Sequence, residues 1–532
     1  MLRSSLAPPT YPGTYWDLVA QSARTRPDHV LLADDHGRSL TASELAAAAE
    51  GFAATLHARG VGGGTVVSWQ LPTVLETMVV LCALARLGAA QNPIVPIMRE
   101  REVRFITEQV GTELFLAPET WGGFGFGDLA RSVADESGFD VMILDLGSEP
   151  ASARPDMTGG ALRLELGDPA TLPPPPERDE AAVRWLYHTS GTTADPKGIR
   201  HSDQTVMAGS TGMIAVLGAR EDDVNTAAFP VSHIGGALSL GASLVTGMRF
   251  VLFDSFDPAT FGERAAAHEP TMLGSAVPFF LVFLDAQRRH GTDPLYPRLR
   301  ICSAGGAPMP PEICRDVREV LGVPGIANSW GLTEFPVPTF ASPDAPQAVL
   351  DTTVGTVVPG VSLRVIGPDG REVATGEEGE LRLKGPQRML GYIDARLDAD
   401  AFDEDGWFKS GDLGVVDADG NIRITGRVKD IIIRNAENIS ALEVEDALFQ
   451  HAAIHDVAVI GLPDERSGER VCAVIVAESG CEPTLDALAA HCRALGLAAQ
   501  KWPERIELVD DLPRNPMGKV RKEDLRKRFA TA

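Results

Sequence analysis

Ten residues near the middle of the chain, Thr189-Ser190-Gly191-Thr192-Thr193-Ala194-Asp195-Pro196-Lys197-Gly198, concentrate hydroxyls, glycines and one lysine. A loop of this make-up can wrap a polyphosphate. The glycines let backbone N–H groups turn toward the anion, the hydroxyls add donors and the lysine adds charge. It is not a Walker P-loop, because Lys197 precedes Gly198 and no Ser or Thr stands next to hold magnesium. It also lacks the dinucleotide pattern G-x-G-x-x-G. The loop suggests nucleotide phosphates gripped in neither of those two ways, against the plainer reading of a Gly- and Thr-rich turn.

Further segments carry chemistry of their own. Asn328-Ser329-Trp330-Gly331-Leu332-Thr333-Glu334 combines a ring that can stack on a base with a hydroxyl and a carboxylate able to hold magnesium. Ser303-Ala304-Gly305-Gly306-Ala307-Pro308 is a turn with little side-chain bulk, open to a planar ligand. Gly406-Trp407-Phe408-Lys409-Ser410-Gly411-Asp412 places an acid after a glycine turn, suited to sugar hydroxyls. Gly426-Arg427-Val428-Lys429-Asp430 follows, and Leu512-Pro513-Arg514-Asn515-Pro516-Met517-Gly518-Lys519-Val520 presents a lysine on a Pro- and Gly-rich loop. Each alone has an ordinary explanation: packing for Trp330, a turn for Asp412, a solvated charge for Lys519.

The elements that must position these residues alternate in type. Val183–Tyr187 reads as a strand entering a buried sheet just before the loop. A helix over 42–58, a strand at Val66–Trp69 and a helix at Val74–Leu87 predict α/β layers with much parallel sheet. Thr171–Arg178, with four consecutive prolines, reads as an extended exposed linker. Phe250–Phe253 and Leu299–Cys302 read as buried strands. After about 350, short strands and Gly turns (Leu363–Ile366, Pro368-Asp369-Gly370, Glu380–Leu383) predict a small antiparallel or barrel-like unit. From about 429 a compact α/β unit is expected: helix Glu443–Phe449, strand Val457–Ile460, helix Thr484–Leu495. His451 and His455, four apart on an expected helix, find no third metal ligand and read as a surface helix.

The 532 residues are more than one core usually supports. With 44% hydrophobic and 23% charged residues, the composition is that of an ordinary globular protein. A net charge of −25 argues against nucleic-acid partners, which need a basic footprint, and against charge-driven membrane docking. The six cysteines form no C-x-x-C pair and fit a reducing cytoplasm. The first residues lack an apolar signal core, and the longest apolar stretch, Met78–Leu87, is too short to span a bilayer. There is no G-x-S-x-G elbow and no H-E-x-x-H.

Taken together and in order, Thr189–Gly198, Phe229-Pro230-Val231-Ser232-His233, Trp330–Glu334, Gly379-Glu380-Leu381, Gly411-Asp412, Gly426–Asp430 and Gly518-Lys519 resemble the adenylate-forming superfamily. That superfamily holds acyl- and aryl-coenzyme A synthetases, stand-alone adenylation domains and beetle luciferases. The resemblance covers nearly the whole chain. It implies a large N-terminal α/β domain of layered helix–sheet subdomains with a barrel-like part (1–428), then a small mobile α/β C-terminal domain (429–532). It implies ATP, Mg2+ and coenzyme A, and two half-reactions: a carboxylate attacks the α-phosphorus of ATP, then a thiol attacks the acyl carbonyl and releases AMP. A homodimer is compatible with it.

By the same resemblance, Thr189, Ser190, Gly191, Thr192, Thr193 and Lys197 close over the β- and γ-phosphates. Thr333 touches the α-phosphate and Glu334 binds magnesium. Gly305, Gly306, Ala307, Asn328, Ser329 and Trp330, the last in place of the family's usual tyrosine, surround the nucleotide. Asp412 and Arg427 hold the ribose. Lys519 is the adenylation lysine, bridging the attacking carboxylate and the α-phosphate. Lys429 is the pivot about which the C-terminal domain rotates, and His233 orients or gates the carboxylate. Two departures stand out: Ala194 replaces a loop glycine, and Asn435-Ala436 stands where relatives often have Gly-Gly, with Ala436 toward the thiol tunnel.

The acid pocket, by family position, draws on Phe229, Ile234, Gly235, Gly236, Ala237, Gly305, Asn328 and Phe335. With no basic or acidic partner among them, the expected substrate is a medium-chain fatty, alicyclic or aromatic monocarboxylate. Asn438–Glu445 leans the same way, toward ligases of fatty and cyclohexane-type acids. The rival reading is a stand-alone adenylation enzyme loading a carrier protein. A nucleotide sensor with a dead site is disfavoured by Glu334, Asp412, Arg427 and Lys519, and luciferase activity more so.

Overall fold

The computed structural model describes residues 1–4, 13–146, 162–189, 196–227, 229–306, 309–435, 437–464, 466–514 and 519–530. Four sheets organise them. A seven-stranded sheet runs Gly391–Tyr392, Lys197–His201, Trp185–Thr189, Ala90–Pro93, Val66–Trp69, Leu114–Pro118, Asp140–Leu144. A nine-stranded sheet runs Thr356–Val357, Phe335–Phe340, Ile326–Leu332, Ile301–Ala304, Met272–Ser275, Val224–Ala227, Arg249–Leu252, Val30–Asp34, Ser39–Thr41. Both are parallel in the middle and become antiparallel toward an edge, at Trp185–His201 in one and Leu332–Phe335 in the other.

The helix Leu75–Leu87 explains its unbroken apolar sequence, because all thirteen of its residues are buried. It shares a core with Leu31 and Leu32 of the larger sheet and Val67 and Trp69 of the smaller. An all-round hydrophobic helix is what such a sandwiched layer needs. It stops at Gly88, whose left-handed φ of 66° forms the C-cap. Its one early acid, Glu76, is buried against Arg38, which also holds Asp34. Deleting Arg38 would strand two buried carboxylates, a loss of about 3–5 kcal/mol for a buried pair broken on one side.

The third sheet is antiparallel: Leu2–Arg3, Ser362–Ile366, Glu378–Lys384, Phe408–Val416, Ile422–Arg427. This is the small unit expected after about 350, antiparallel and open at both edges rather than closed as a barrel, and inward Leu381 and Leu383 alternate with outward neighbours as a half-buried strand should. The fourth sheet, Glu437–Ser440, Ile431–Arg434, Gly468–Ala477, Ile454–Asp464 and Arg505–Leu508, builds its own core with the helices Ala441–Phe449 and Leu485–Ala494. The molecule is thus a mixed α/β protein with a large N-terminal and a small C-terminal domain. Among the described residues no helix is long and apolar enough to cross a membrane. The six cysteines are all free.

Three expectations need correction. The strand read at Leu299–Cys302 is Ile301–Ala304, since Arg300 instead turns its guanidinium onto Asp223. His451 and His455 do not share a helix. That helix ends at Phe449, His451 sits in the following turn with its ring edge-on to His491 at 5.0 Å, and His455 lies on a strand. The proline segment is less free than a linker: Pro173 O accepts from Arg86 Nη2 at 2.9 Å.

Candidate active site

The suspected phosphate loop joins two antiparallel strands, Trp185–Thr189 and Lys197–His201, with Thr189 opposite Lys197. Ser190, Gly191, Thr192, Thr193, Ala194 and Asp195 lie outside the described residues. Lys197 Nζ stands 5.6 Å from the ring centroid of Tyr392. Tyr392 in turn donates its hydroxyl to Glu334 Oε1 at 2.9 Å.

A second tie binds the same two regions. His201, fully buried, has Nε2 2.7 Å from Thr333 O and Nδ1 2.9 Å from Thr205 Oγ1. A carbonyl only accepts, so Nε2 carries the proton, while Thr205 Oγ1 lies between Nδ1 and Ser202 O, 2.9 Å from each. Burial lowers this histidine to about 4, keeping the ring neutral. Thr333 and Glu334 form the turn between Ile326–Leu332 and Phe335–Phe340, so they are pinned to the strand that leaves the phosphate loop.

On that hairpin Asn328 is buried, its amide donating to Leu350 O at 3.1 Å, and Ser329 Oγ donates to Ala304 O at 2.9 Å. Trp330 is nearly buried and its indole Nε1 donates to Asp412 Oδ2 at 2.8 Å. Arg427, directly opposite Asp412 in the strand register, donates Nε to Oδ1, also at 2.8 Å. A carboxylate only 3% exposed needs partners of this kind. Gly305 allows the close approach of Ser329, because a Cβ there would meet Ser329 Oγ at 2.3 Å. Gly306 adopts φ 82°, and Ala307 is outside the described residues.

Lys519 comes from the far end of the chain into this cluster. Burial lowers its ammonium to about 8, with Arg427 and Lys429 adding and Asp412 and Glu334 opposing. His233, N-cap of the helix Ile234–Thr246, is lowered to about 4 by burial and then by Lys519. Its Nε2 has no hydrogen-bond partner among the described residues. Lys429, exposed as a residue in the turn from the third sheet to the fourth, is lowered by desolvation of its ammonium and then by Arg427, with Lys197 contributing. Four cations, Lys197, Arg427, Lys429 and Lys519, thus lie within one another's field, with Asp412 and Glu334 opposing at Lys519; a third carboxylate, Asp430, is taken by Arg526 at 2.8 Å. Such a cluster suits a polyanion, whose charge would relieve the repulsion.

Of the pocket residues, Phe229 and Ile234 pack on the main core. Gly235 faces the Phe229 ring, and a Cβ at Gly236 would overlap Val231 O at 2.1 Å. Ala237 O accepts from Tyr15 OH at 2.7 Å. Phe335 is fully buried in the second core, 6.4 Å from Phe408. Asn435 holds a left-handed φ of 52°, which Asn tolerates best after Gly, and Ala436 is outside the described residues. Sequence reasoning missed Tyr392 and His201. A buried-strand histidine just past the loop was a signal for the second; nothing local marked the first.

The family model "AMP-binding enzyme" matches residues 19–393, and "AMP-binding enzyme C-terminal domain" matches 443–519. The chain is 31% identical to a medium-chain fatty-acid–CoA ligase of Escherichia coli, covering 96% of this chain and 89% of that one. It is 33% identical to a sulfoacetate–CoA ligase of Cupriavidus necator, covering 95% and 96%. It is 32% identical to a salicyl-AMP ligase/salicyl-S-ArCP synthetase of Mycobacterium tuberculosis, covering 96% and 90%. Among solved structures it superposes on ATP-bound MatB from Rhodopseudomonas palustris with a TM-score of 0.84 at 26% identity, covering 97% and 99%.

Proposed function

The chain belongs to the AMP-binding, adenylate-forming enzymes, and from that premise we propose that this AMP-forming acid–thiol ligase activates a hydrophobic monocarboxylic acid and passes it to coenzyme A. The observation that carries the reading is the pair of positioned carboxylates, Asp412 held by Trp330 and Arg427 and Glu334 held by Tyr392 beneath Lys197, with Lys519 brought into their field.

In the first half-reaction a carboxylate oxygen of the acid bonds to the α-phosphorus of ATP, and the bond from that phosphorus to the bridging oxygen breaks. Pyrophosphate leaves and acyl-AMP remains. Two anions must meet, so a positioned ammonium is worth several kcal/mol. Lys519 is that cation; its charge acts on His233, which burial keeps neutral. Asp412, steadied by Trp330 and Arg427, accepts the ribose hydroxyls. Lys197 and the loop before it hold the outer phosphates.

Glu334 would hold Mg2+: it is a hard oxygen ligand, as Mg2+ requires, with one oxygen oriented by Tyr392. The ion supplies charge neutralisation on the phosphates when bound.

In the second half-reaction the thiol sulfur bonds to the acyl carbon, the carbon–oxygen bond to AMP breaks, and the thiol proton leaves to solvent. We take 429–532 as the unit that turns about Lys429 between the two halves. One site then serves two nucleophiles while the water-labile adenylate stays covered.

The small and apolar residues from Phe229 to Ala237 favour a fatty, alicyclic or aromatic acid. A relative named as a salicyl-S-ArCP synthetase supports the second reading, transfer to a carrier protein. AMP release over acids of graded length and ring content, with coenzyme A or a carrier protein as thiol, tests both. Turnover of hydrophobic monocarboxylates with coenzyme A is expected; acyl transfer to carrier protein alone overturns the ligase reading.

A further inference from the structure

At the edge of the nine-stranded sheet remote from Thr333 and Glu334, three ligand-type side chains meet. Val30–Asp34 and Arg249–Leu252 run parallel with Leu252 opposite Asp34. Each chain then continues past its strand, so Asp35 and His36 arrive beside Asp254. Four strand spacings separate Arg249–Leu252 from Ile326–Leu332, roughly 20 Å at about 4.8 Å each. This cluster is no part of the nucleotide site.

His36 Nε2 lies 2.9 Å from Asp35 Oδ1 and 3.3 Å from Asp254 Oδ2. The three ligand atoms are all within 4.8 Å of one another. The two carboxylate side chains are only 2% and 3% exposed. Yet neither Asp35 Oδ1 nor His36 Nε2 has a hydrogen bond of acceptable geometry among the described residues. A cation about 2.0–2.1 Å from His36 Nε2 and from each oxygen subtends the two separations from that nitrogen, 2.9 and 3.3 Å, at roughly 90–110°, ordinary coordination angles. The outer atoms suit this too. Asp35 Oδ2 accepts from Arg264 Nε at 2.7 Å, which leaves Oδ1 as the inward oxygen.

We propose that Asp35, His36 and Asp254 form a binding site for one first-row divalent cation of Zn2+ type, tying the turn after Val30–Asp34 to the end of Arg249–Leu252. One imidazole and two carboxylates are the donor set such ions take, with solvent at the remaining positions. The cation clamps two parallel strands just past their paired ends and takes no part in chemistry at Glu334.

The test uses the full chain, stripped with chelator, loaded with Zn2+ and desalted, with metal counted per chain. Wild type retains one more equivalent than His36→Gln and than Asp254→Asn, and its melting temperature rises with Zn2+ where theirs does not. Equal zinc content in all three overturns the site and leaves a protonated histidine bridging two carboxylates. Should either variant fail to fold, anomalous scattering at the zinc edge from wild-type crystals decides. A peak between these three side chains supports the site, and its absence at saturating Zn2+ overturns it.

Discussion

Trp330 Nε1 donates to Asp412 Oδ2 at 2.8 Å, joining residues 82 positions apart in the chain. The aromatic ring and the ribose-binding acid of our reading are therefore one unit. Trp330→Phe keeps a ring but removes the N–H. A hydrogen bond to a charged group contributes about 1.5–3 kcal/mol, so the KM for ATP in pyrophosphate exchange should rise at least roughly tenfold. An unchanged KM would detach Trp330 from the nucleotide.

Lys519 carries its own pH signature. Burial, then Arg427, lowers it to about 8. The ammonium is the working form, so activity is full below that value and lost as pH rises through it. In exchange assays kcat/KM, which reports the free enzyme, should bend downward near pH 8 and fall roughly tenfold per unit beyond it. Lys519→Arg stays charged and should show a lower rate without that limb.

Asn435 sits at φ 52°, in the left-handed region that glycine adopts most freely. Asn435→Ala places an ordinary side chain in the left-handed region at about 1–2 kcal/mol. Calorimetry should show a lower melting temperature for that variant and little change for Asn435→Gly.

Much of this was legible because periodicity and composition are local. The buried helix Leu75–Leu87 and the strand Val66–Trp69 stand where their apolar runs put them. The two-residue strand Leu2–Arg3 was not legible, since it exists only by pairing with Ser362 and Leu363. The His451–His455 helix failed because four-residue spacing says nothing about a chain that turns between them. In the site, residue types pointed to Lys197, Glu334 and Asp412. The bonds that aim them, Tyr392 to Glu334 and His201 to Thr333, join segments 58 and 132 residues apart, beyond any local signal.

The most direct measurement of the central claim is Lys519→Ala assayed on the two half-reactions separately. ATP–pyrophosphate exchange should fall by about two to three orders of magnitude, the scale of losing a preorganised charge on a transition state. Thioester formation from supplied acyl-adenylate and coenzyme A should stay near wild type. Full exchange activity in Lys519→Ala would contradict the account.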